Sequence, residues 1–199
     1  MINFYGTKTL ETNRLILRKI VEKDATSFFN NWMSDERVTD NLIKGAHKSI
    51  SESVERVTNI VNEYEDQEFC YWGIELTATG DLIGTIDFYN FDDTTENCEV
   101  GFSLGYDWWN QGYGTEALNV VMEFGFRHMN IHKISAAHNT DNPASGKIMQ
   151  KAGMEQEGLI RHMIRNAKNQ YKDCAVYGIL QEDYLVLMKK SNGVNAQCR

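Results

Sequence analysis

The chain has 199 residues, 42% hydrophobic and 24% charged, and its 28 acidic against 20 basic side chains leave a net charge of −8. That length and balance predict one folded domain with a sizeable core and exclude a disordered chain. The acidic sign argues against a nucleic-acid partner and suits a cationic one, or simply keeps the protein soluble.

No apolar run approaches a membrane span, so no membrane partner is expected. The four cysteines, Cys70, Cys98, Cys174 and Cys198, are scattered without a C-x-x-C pair or a secretory leader. Reduced thiols in a cytoplasmic protein are the expectation.

Residues 1–13 read as a polar lead-in, and residues 14–20 (RLILRKI) as a first strand. Asp24 is placed to cap a helix carrying Phe28, Phe29 and Trp32, which ends or kinks at Ser34-Asp35-Glu36. Val54, Val57, Ile60 and Val61 recur at helical spacing and predict a second helix over 51–64. Residues 69–77 and 82–89 predict a hairpin through Thr79-Gly80-Asp81. Past the polar loop 92–95, a third antiparallel strand begins at Glu99.

The stretch 99–117, EVGFSLGYDWWNQGYGTEA, is the most informative. Val100, Phe102 and Leu104 alternate onto one strand face, and Glu99, Gly101 and Ser103 onto the other. The turn Gln111-Gly112-Tyr113-Gly114-Thr115 then opens a helix whose Leu118, Val121, Met122, Gly125 and Met129 should pack on a sheet. Unpaired N–H groups and the aligned peptide dipoles at that N-terminus make it an anion cradle, and glycine permits close approach to its backbone. We read it as a phosphate site.

Residues 131–138 follow as a strand after a helical crossover, which implies a parallel neighbour. Pro143 opens a helix that Gly153 stops. Residues 154–164 and 171–180 close the domain as a hairpin around residues 166–169, and the polar tail from Lys189 is expected to fray. The elements add up to one α+β domain with a mixed sheet.

Gly112-Tyr113-Gly114-Thr115-Glu116-Ala117 also fits the dinucleotide pattern G-x-G-x-x-A. That fold wants the turn directly after a buried parallel strand and an acid about twenty residues on. Here an aromatic link intervenes, and no acid lies between Glu123 and Asp141. We set the dinucleotide fold aside. His128 and His132 share a helical spacing but lack a third ligand, so no metal is assigned. His138 ends its strand near the expected cleft as a bystander. Trp108 and Trp109 should wall the glycine turn.

Taken together, ETNRLILR at 11–18, WMSDERV at 32–38, QGYGTEA at 111–117, Asn139 with NPAS at 142–145, and KAGM at 151–154 resemble the GNAT superfamily of N-acetyltransferases. Within it they are most similar to the RimJ/RimL-like branch. The resemblance covers residues 10–184 as a single domain, with 1–9 as a lead-in and 185–199 as a polar C-terminal tail. It implies a mostly antiparallel mixed sheet of about seven strands, with flanking helices and one splayed parallel pair.

It also implies acetyl-CoA as cosubstrate, with no metal. The pyrophosphate would rest on the turn from Gln111 through Gly112, Tyr113 and Gly114 to Thr115. The pantetheine arm would lie along Phe102, Ser103 and Leu104, with Asn139 and Asn142 as further contacts and a backbone N–H of that strand as oxyanion donor. Many members carry a tyrosine seven residues after the asparagine matching Asn142, to protonate the leaving thiolate. Met149 stands there and cannot donate. Ser145 matches the serine of the RimJ/RimL-like branch and takes that role by resemblance; its plainer role is a first-turn backbone contact.

Glu99 is the first candidate for the general base, with Glu75 and Asp87 on neighbouring strands as reserves at the acceptor side. A solvated strand glutamate is the bland alternative. Trp32 and the loop to Lys44 would wall the acceptor pocket. The acceptor is an amine. An α-amine with a pKa near 8 is neutral about a hundredfold more often at pH 7 than a lysine near 10.4, which makes a protein N-terminus the easier acceptor. A small molecule or polyamine, and a non-catalytic acetyl-CoA sensor module, are the alternatives. Monomer and homodimer both fit.

Overall fold

The computed structural model describes the backbone of residues 1–196 and the side chains of residues 1–189. One eight-stranded sheet organises them, in the order β1-β2-β3-β4-β5-β6-β8-β7. Its strands are β1 (Leu10–Glu11), β2 (Leu15–Arg18), β3 (Cys70–Leu76), β4 (Leu82–Asp92), β5 (Asn97–Leu104), β6 (Lys133–Asn139), β7 (Glu155–Arg165) and β8 (Tyr171–Leu180). Every pairing is antiparallel except β5 with β6, where the helical crossover demands a parallel neighbour.

That parallel pairing lasts only from Asn97↔Lys133 to Glu99↔Ser135. Beyond it the two strands part. β5 continues to Leu104 paired with β4 alone, and β6 continues to Asn139 paired with β8 alone. Among the described residues the backbone groups along the facing edges are left without a strand partner.

Two apolar clusters cover the two faces. On one, α4 (Tyr113–Arg127) lays Leu118, Val121 and Met122 against Trp72, Phe88, Val100 and Ile134, as the helical spacing predicted. Met129, just past the helix, is buried as well. On the other face, Phe28 and Trp32 meet α3 (Ile50–Glu63) through Val57 and Ile60, over Tyr71 and Leu82. Val54 of that predicted stripe is 48% exposed instead.

The first helix is broken into pieces: a 3₁₀ turn (Glu22–Asp24), α1 (Ala25–Phe28), a π turn (Phe29–Met33) and α2 (Glu36–Thr39). Asp24 does not cap it as expected. Its backbone is already helical, and its carboxylate turns back to the Val21 N–H (2.9 Å) and Arg18 (2.7 and 3.1 Å).

The lead-in is also more than polar chain. β1 pairs with β2, Ile2 is buried, and Thr7 bridges the start of β3 by donating to Phe69 O and accepting from Tyr71 N–H. At the other end α5 (Pro143–Lys151) stops at Gly153, which has φ +91. The segment expected to fray from Lys189 lies within α6 (Gln181–Ala196), while residues 197–199 fall outside the described ones. Among the described residues no helix is long and apolar enough to cross a membrane.

Candidate active site

The parting of β5 and β6 opens a cavity of about 1070 Å³, which runs from the start of α4 to the face of α3. Its floor is built by register. On β5, Glu99, Gly101 and Ser103 share the face toward it, while the buried Val100 and Leu104 pack into the core and border the cavity as well. Across the rungs Ser103 faces Thr85, Gly101 faces Asp87, and Glu99 faces Tyr89; one strand further, Tyr71 faces Asp87.

At one end stands the glycine turn. Gly112 has φ +85, a left-handed conformation that costs other residues about 1–2 kcal/mol, and its carbonyl accepts from Glu116 N–H at 3.1 Å. The N–H groups of Tyr113, Gly114 and Thr115 are the helix's orphan first-turn donors, and all three residues line the cavity. Arg14 splints the turn from behind. It donates to Gln111 O (3.0 Å) and to Glu116 (2.7 Å), and its guanidinium lies 4.5 Å from the centre of the Tyr113 ring. Burial would raise the Glu116 carboxyl, but Thr12 and Arg14 outweigh it and hold it below its ordinary value.

Gly114 also serves the packing of the helix. A Cβ there would lie 2.8 Å from Ile148 Cδ1 and 3.2 Å from Leu104 Cδ1, so the missing side chain lets α4 approach α5 and β5. Gln111 is spent on the protein: its carbonyl takes Arg14 and its amide donates to Asp107 O at 2.8 Å. It does not line the cavity.

The middle of the cleft fits a pantetheine arm. The free edge of β5 offers backbone donors and acceptors, Phe102 and Leu104 line it, and Ser103 Oγ and Asn139 Oδ1 are buried without a partner among the described residues. Buried polar atoms are rarely left so unless a ligand or water completes them. Trp108 and Trp109 wall this part, with Trp109 Nε1 donating to Leu104 O at 2.8 Å.

Asn142 caps α5. Its Oδ1 accepts from Ser145 N–H (3.4 Å) and its Nδ2 donates to Ser145 Oγ (2.9 Å). With that oxygen engaged as an acceptor, the Ser145 proton is free to point into the cavity that the residue lines. Met149 is buried beside it.

The other end is lined by α3 through Glu52, Glu55, Arg56 and Asn59, by the buried Trp32, and by residues 41–44. A strap joins this wall to the β7–β8 hairpin. Lys168 pairs with Asp40 at 2.7 Å, and a Cβ on Gly45 would lie 3.0 Å from Ala167 Cβ. Glu99 accepts from Asn90 Nδ2 at 3.0 Å. Asp87 is half-buried and makes no hydrogen bond among the described residues. Burial pushes its carboxyl up to about 7 against the opposing pull of Arg56. Burial, with Glu99 and Asp87 alongside, also pushes the Tyr89 hydroxyl up.

Glu75 does not join this group. It shares the sheet face, but Arg18 holds its carboxylate at 2.6 Å in a cluster with Asp24, outside the cavity. Tyr71, Tyr89, Asn90, Arg56, Lys147 and Lys151 line the cavity without having been singled out from the sequence. The polar spacing 52, 55–56, 59 on α3, beside its apolar stripe, was the legible signal for Arg56. Among the described residues no cluster of three or more His, Cys, Asp or Glu could hold a metal.

A family model described as an acetyltransferase (GNAT) domain matches residues 14–155. The chain belongs to the GNAT family. It is thus an acyl-CoA-dependent N-acetyltransferase, of a family that uses acetyl-CoA. This GNAT chain is 32% identical over 172 residues to the uncharacterized N-acetyltransferase YoaA of Bacillus subtilis, covering 86% of this chain and 96% of that protein. It is 22% identical to the [ribosomal protein uS5]-alanine N-acetyltransferase of Escherichia coli, over 88% of this chain and 92% of that one. A GNAT-family acetyltransferase structure from Bacillus anthracis superposes with a TM-score of 0.77 at 25% identity, covering 88% of this chain and 99% of that one.

Proposed function

We propose that the protein moves an acetyl group from acetyl-CoA to the α-amine of a protein N-terminus, in a ternary complex, as a RimJ/RimL-like enzyme of the cytoplasm. One observation carries this reading. A single cleft joins a glycine-capped helix N-terminus, an unpaired strand edge and a pair of carboxylates, in that order. The order follows the length of the cosubstrate, from phosphates to acyl group to acceptor.

Acetyl-CoA supplies the activated acyl carbon and the thiolate leaving group. The first-turn N–H groups of α4 hold its phosphates, and Ser103, Asn139 and the β5 edge hold the pantetheine amides. A backbone N–H of that edge polarises the acyl carbonyl. The Asp87 and Glu99 carboxylates draw in the acceptor ammonium and leave it neutral, since a protonated amine cannot attack. Ser145 gives its proton to the departing sulfur.

The reading toward an α-amine rests on basicity. Deprotonating it at neutral pH costs roughly 3 kcal/mol less than deprotonating a lysine-like amine, which suits a site with carboxylate bases alone. A polyamine is the second reading. It is favoured by the four carboxylates Glu52, Glu55, Asp87 and Glu99 that line the acceptor end against Arg56 and Lys44.

Thiol release from acetyl-CoA, measured across peptides with free N-termini, spermidine-type polyamines and lysine side-chain analogues, tests both. Saturable turnover is expected with the peptides. Turnover confined to polyamines would select the second reading. Tight acetyl-CoA binding with no acceleration by any amine would make the chain a cofactor sensor.

A further inference from the structure

We infer that Asp87 is the group that takes the proton from the acceptor amine, while Glu99 supplies the charge that holds the ammonium in place. The inference deepens the acetyl-transfer reading and rests on it. Position argues for it first. Asp87 sits on the rung of Gly101, beyond the last pairing of β5 with β6, where the strand edge is free. Glu99 sits one step back, on the final rung that still pairs across to Ser135.

Gly101 keeps the space in front of Asp87 clear. A Cβ there would come within 3.2 Å of both Asp87 Oδ1 and the Tyr89 ring. The two carboxylates also differ in their partners. Glu99 accepts from Asn90, whereas Asp87 is half-buried with no hydrogen bond among the described residues. A carboxylate kept in that state costs stability, which a purely structural residue has no reason to do.

The groups that face Asp87 are Tyr71 from β3, Tyr89 from its own strand, Glu99 from β5 and Arg56 from α3, with Glu52 and Glu55 on the same helix. Arg56 is the only cation among them, and it has no carboxylate within ion-pair distance among the described residues. Burial outweighs its pull, so the carboxyl titrates near neutrality, where a general base is most effective.

Atoms and electrons balance across the transfer. Asp87 takes one N–H proton from the ammonium, and the freed lone pair forms the C–N bond to the acyl carbon. The C–S bond breaks with its electron pair left on sulfur. The second N–H proton, acidic once the nitrogen is acylated, reaches that sulfur through the Ser145 hydroxyl. Asp87 then returns its proton to water. Moving a proton from an α-ammonium to such a carboxyl is uphill by roughly one pKa unit, against more than three from a lysine-like ammonium. Asp87 therefore selects a weakly basic amine.

The test compares wild type, Asp87→Asn and Glu99→Gln on the best acceptor found for the wild type, from about pH 5.5 to 9.5. Wild-type kcat/KM should fall below an inflection near pH 7. Asp87→Asn should lose that inflection and at least about a hundredfold in kcat, with CoA affinity unchanged by calorimetry. Glu99→Gln should keep the inflection and chiefly raise the KM of the amine.

Thermal unfolding gives the second readout. A folded-state pKa raised above the unfolded one means that the neutral carboxyl stabilises fully below about pH 4, and that this is lost as pH rises through about 7. Asp87→Asn should therefore melt above wild type near pH 8. An inflection retained in Asp87→Asn, its disappearance in Glu99→Gln instead, or a lower Tm for Asp87→Asn at pH 8 overturns the assignment. A wild type that acetylates no amine fails earlier, and overturns the acetyl-transfer reading itself.

Discussion

In the proposed reaction Ser145 owes its donor role to its neighbours. Asn142 claims the serine oxygen as an acceptor from one side, which leaves the hydroxyl proton as the free end. The side chain is partly buried and lines the cavity next to a methionine that can donate nothing. Ser145→Ala should lower kcat by about ten- to a hundredfold, while the CoA dissociation constant stays near its starting value. Single-turnover kinetics would check it, because they isolate chemistry from product release. Unchanged single-turnover rates would mean that water protonates the thiolate.

Glu75 is the contrary case at the same scale. It lies on the sheet face that carries Asp87, yet Arg18 is drawn between Glu75 and Asp24 and holds both. A carboxylate so engaged is structural. The difference between Glu75 and Asp87 is therefore one of company, since both are acids on the same sheet face.

At the scale of elements, the junction of α4, α5 and β5 sets the cofactor end. Gly114 lets Ile148 and Leu104 come close, and the close packing fixes where the first-turn N–H groups point. Gly114→Val should cost about 1–3 kcal/mol by overpacking and weaken CoA by about tenfold as the helix shifts. Adding Ile148→Ala to that variant should restore much of both, with Ile148→Ala alone as the third corner of the cycle. Denaturant melts and calorimetry read the two quantities separately. Recovered stability with CoA binding still weak would place the phosphate directly over Gly114 and make packing secondary.

The whole molecule carries −8, yet it must bind a polyanion. The balance of charge changes along the cleft, with Arg56 and Lys44 outnumbered by acids at the acceptor end. Lys147 and Lys151 of α5 line it near the cofactor end, and four of its acids cluster at the acceptor end. Both lysines are exposed, so their effect is long-range attraction and is screened by salt. Replacing both with alanine should raise the CoA dissociation constant by about three- to tenfold at low ionic strength. That gap should narrow toward nothing near about 1 M salt. A gap that persists in high salt would point to a direct, desolvated phosphate contact instead.

Residue order was enough for the central strand and helix, because periodicity records which face of an element is buried. Val100 and Leu104 against Glu99, Gly101 and Ser103, and the stripe Leu118, Val121, Met122, announced the central strand and helix before any coordinates. The glycine turn was legible for the same local reason: a left-handed Gly112 and a helix start are properties of a few adjacent residues.

What stayed hidden were consequences of chain segments that meet from afar. No local pattern at Asp24 reveals that Arg18, held as well by the distant Glu75, will claim its carboxylate, so its helix cap was misplaced. Nothing around Gly114 reveals Ile148, thirty-four positions on, as a packing reason for a glycine there. The ranking of Glu99 above Asp87 drew on strand alternation alone, and the inference that reverses it draws on contacts between distant segments. Burial, the Asn90 contact and the rung on which β5 and β6 part are set by how three strands and α3 come together. Those are long-range terms that no local pattern records.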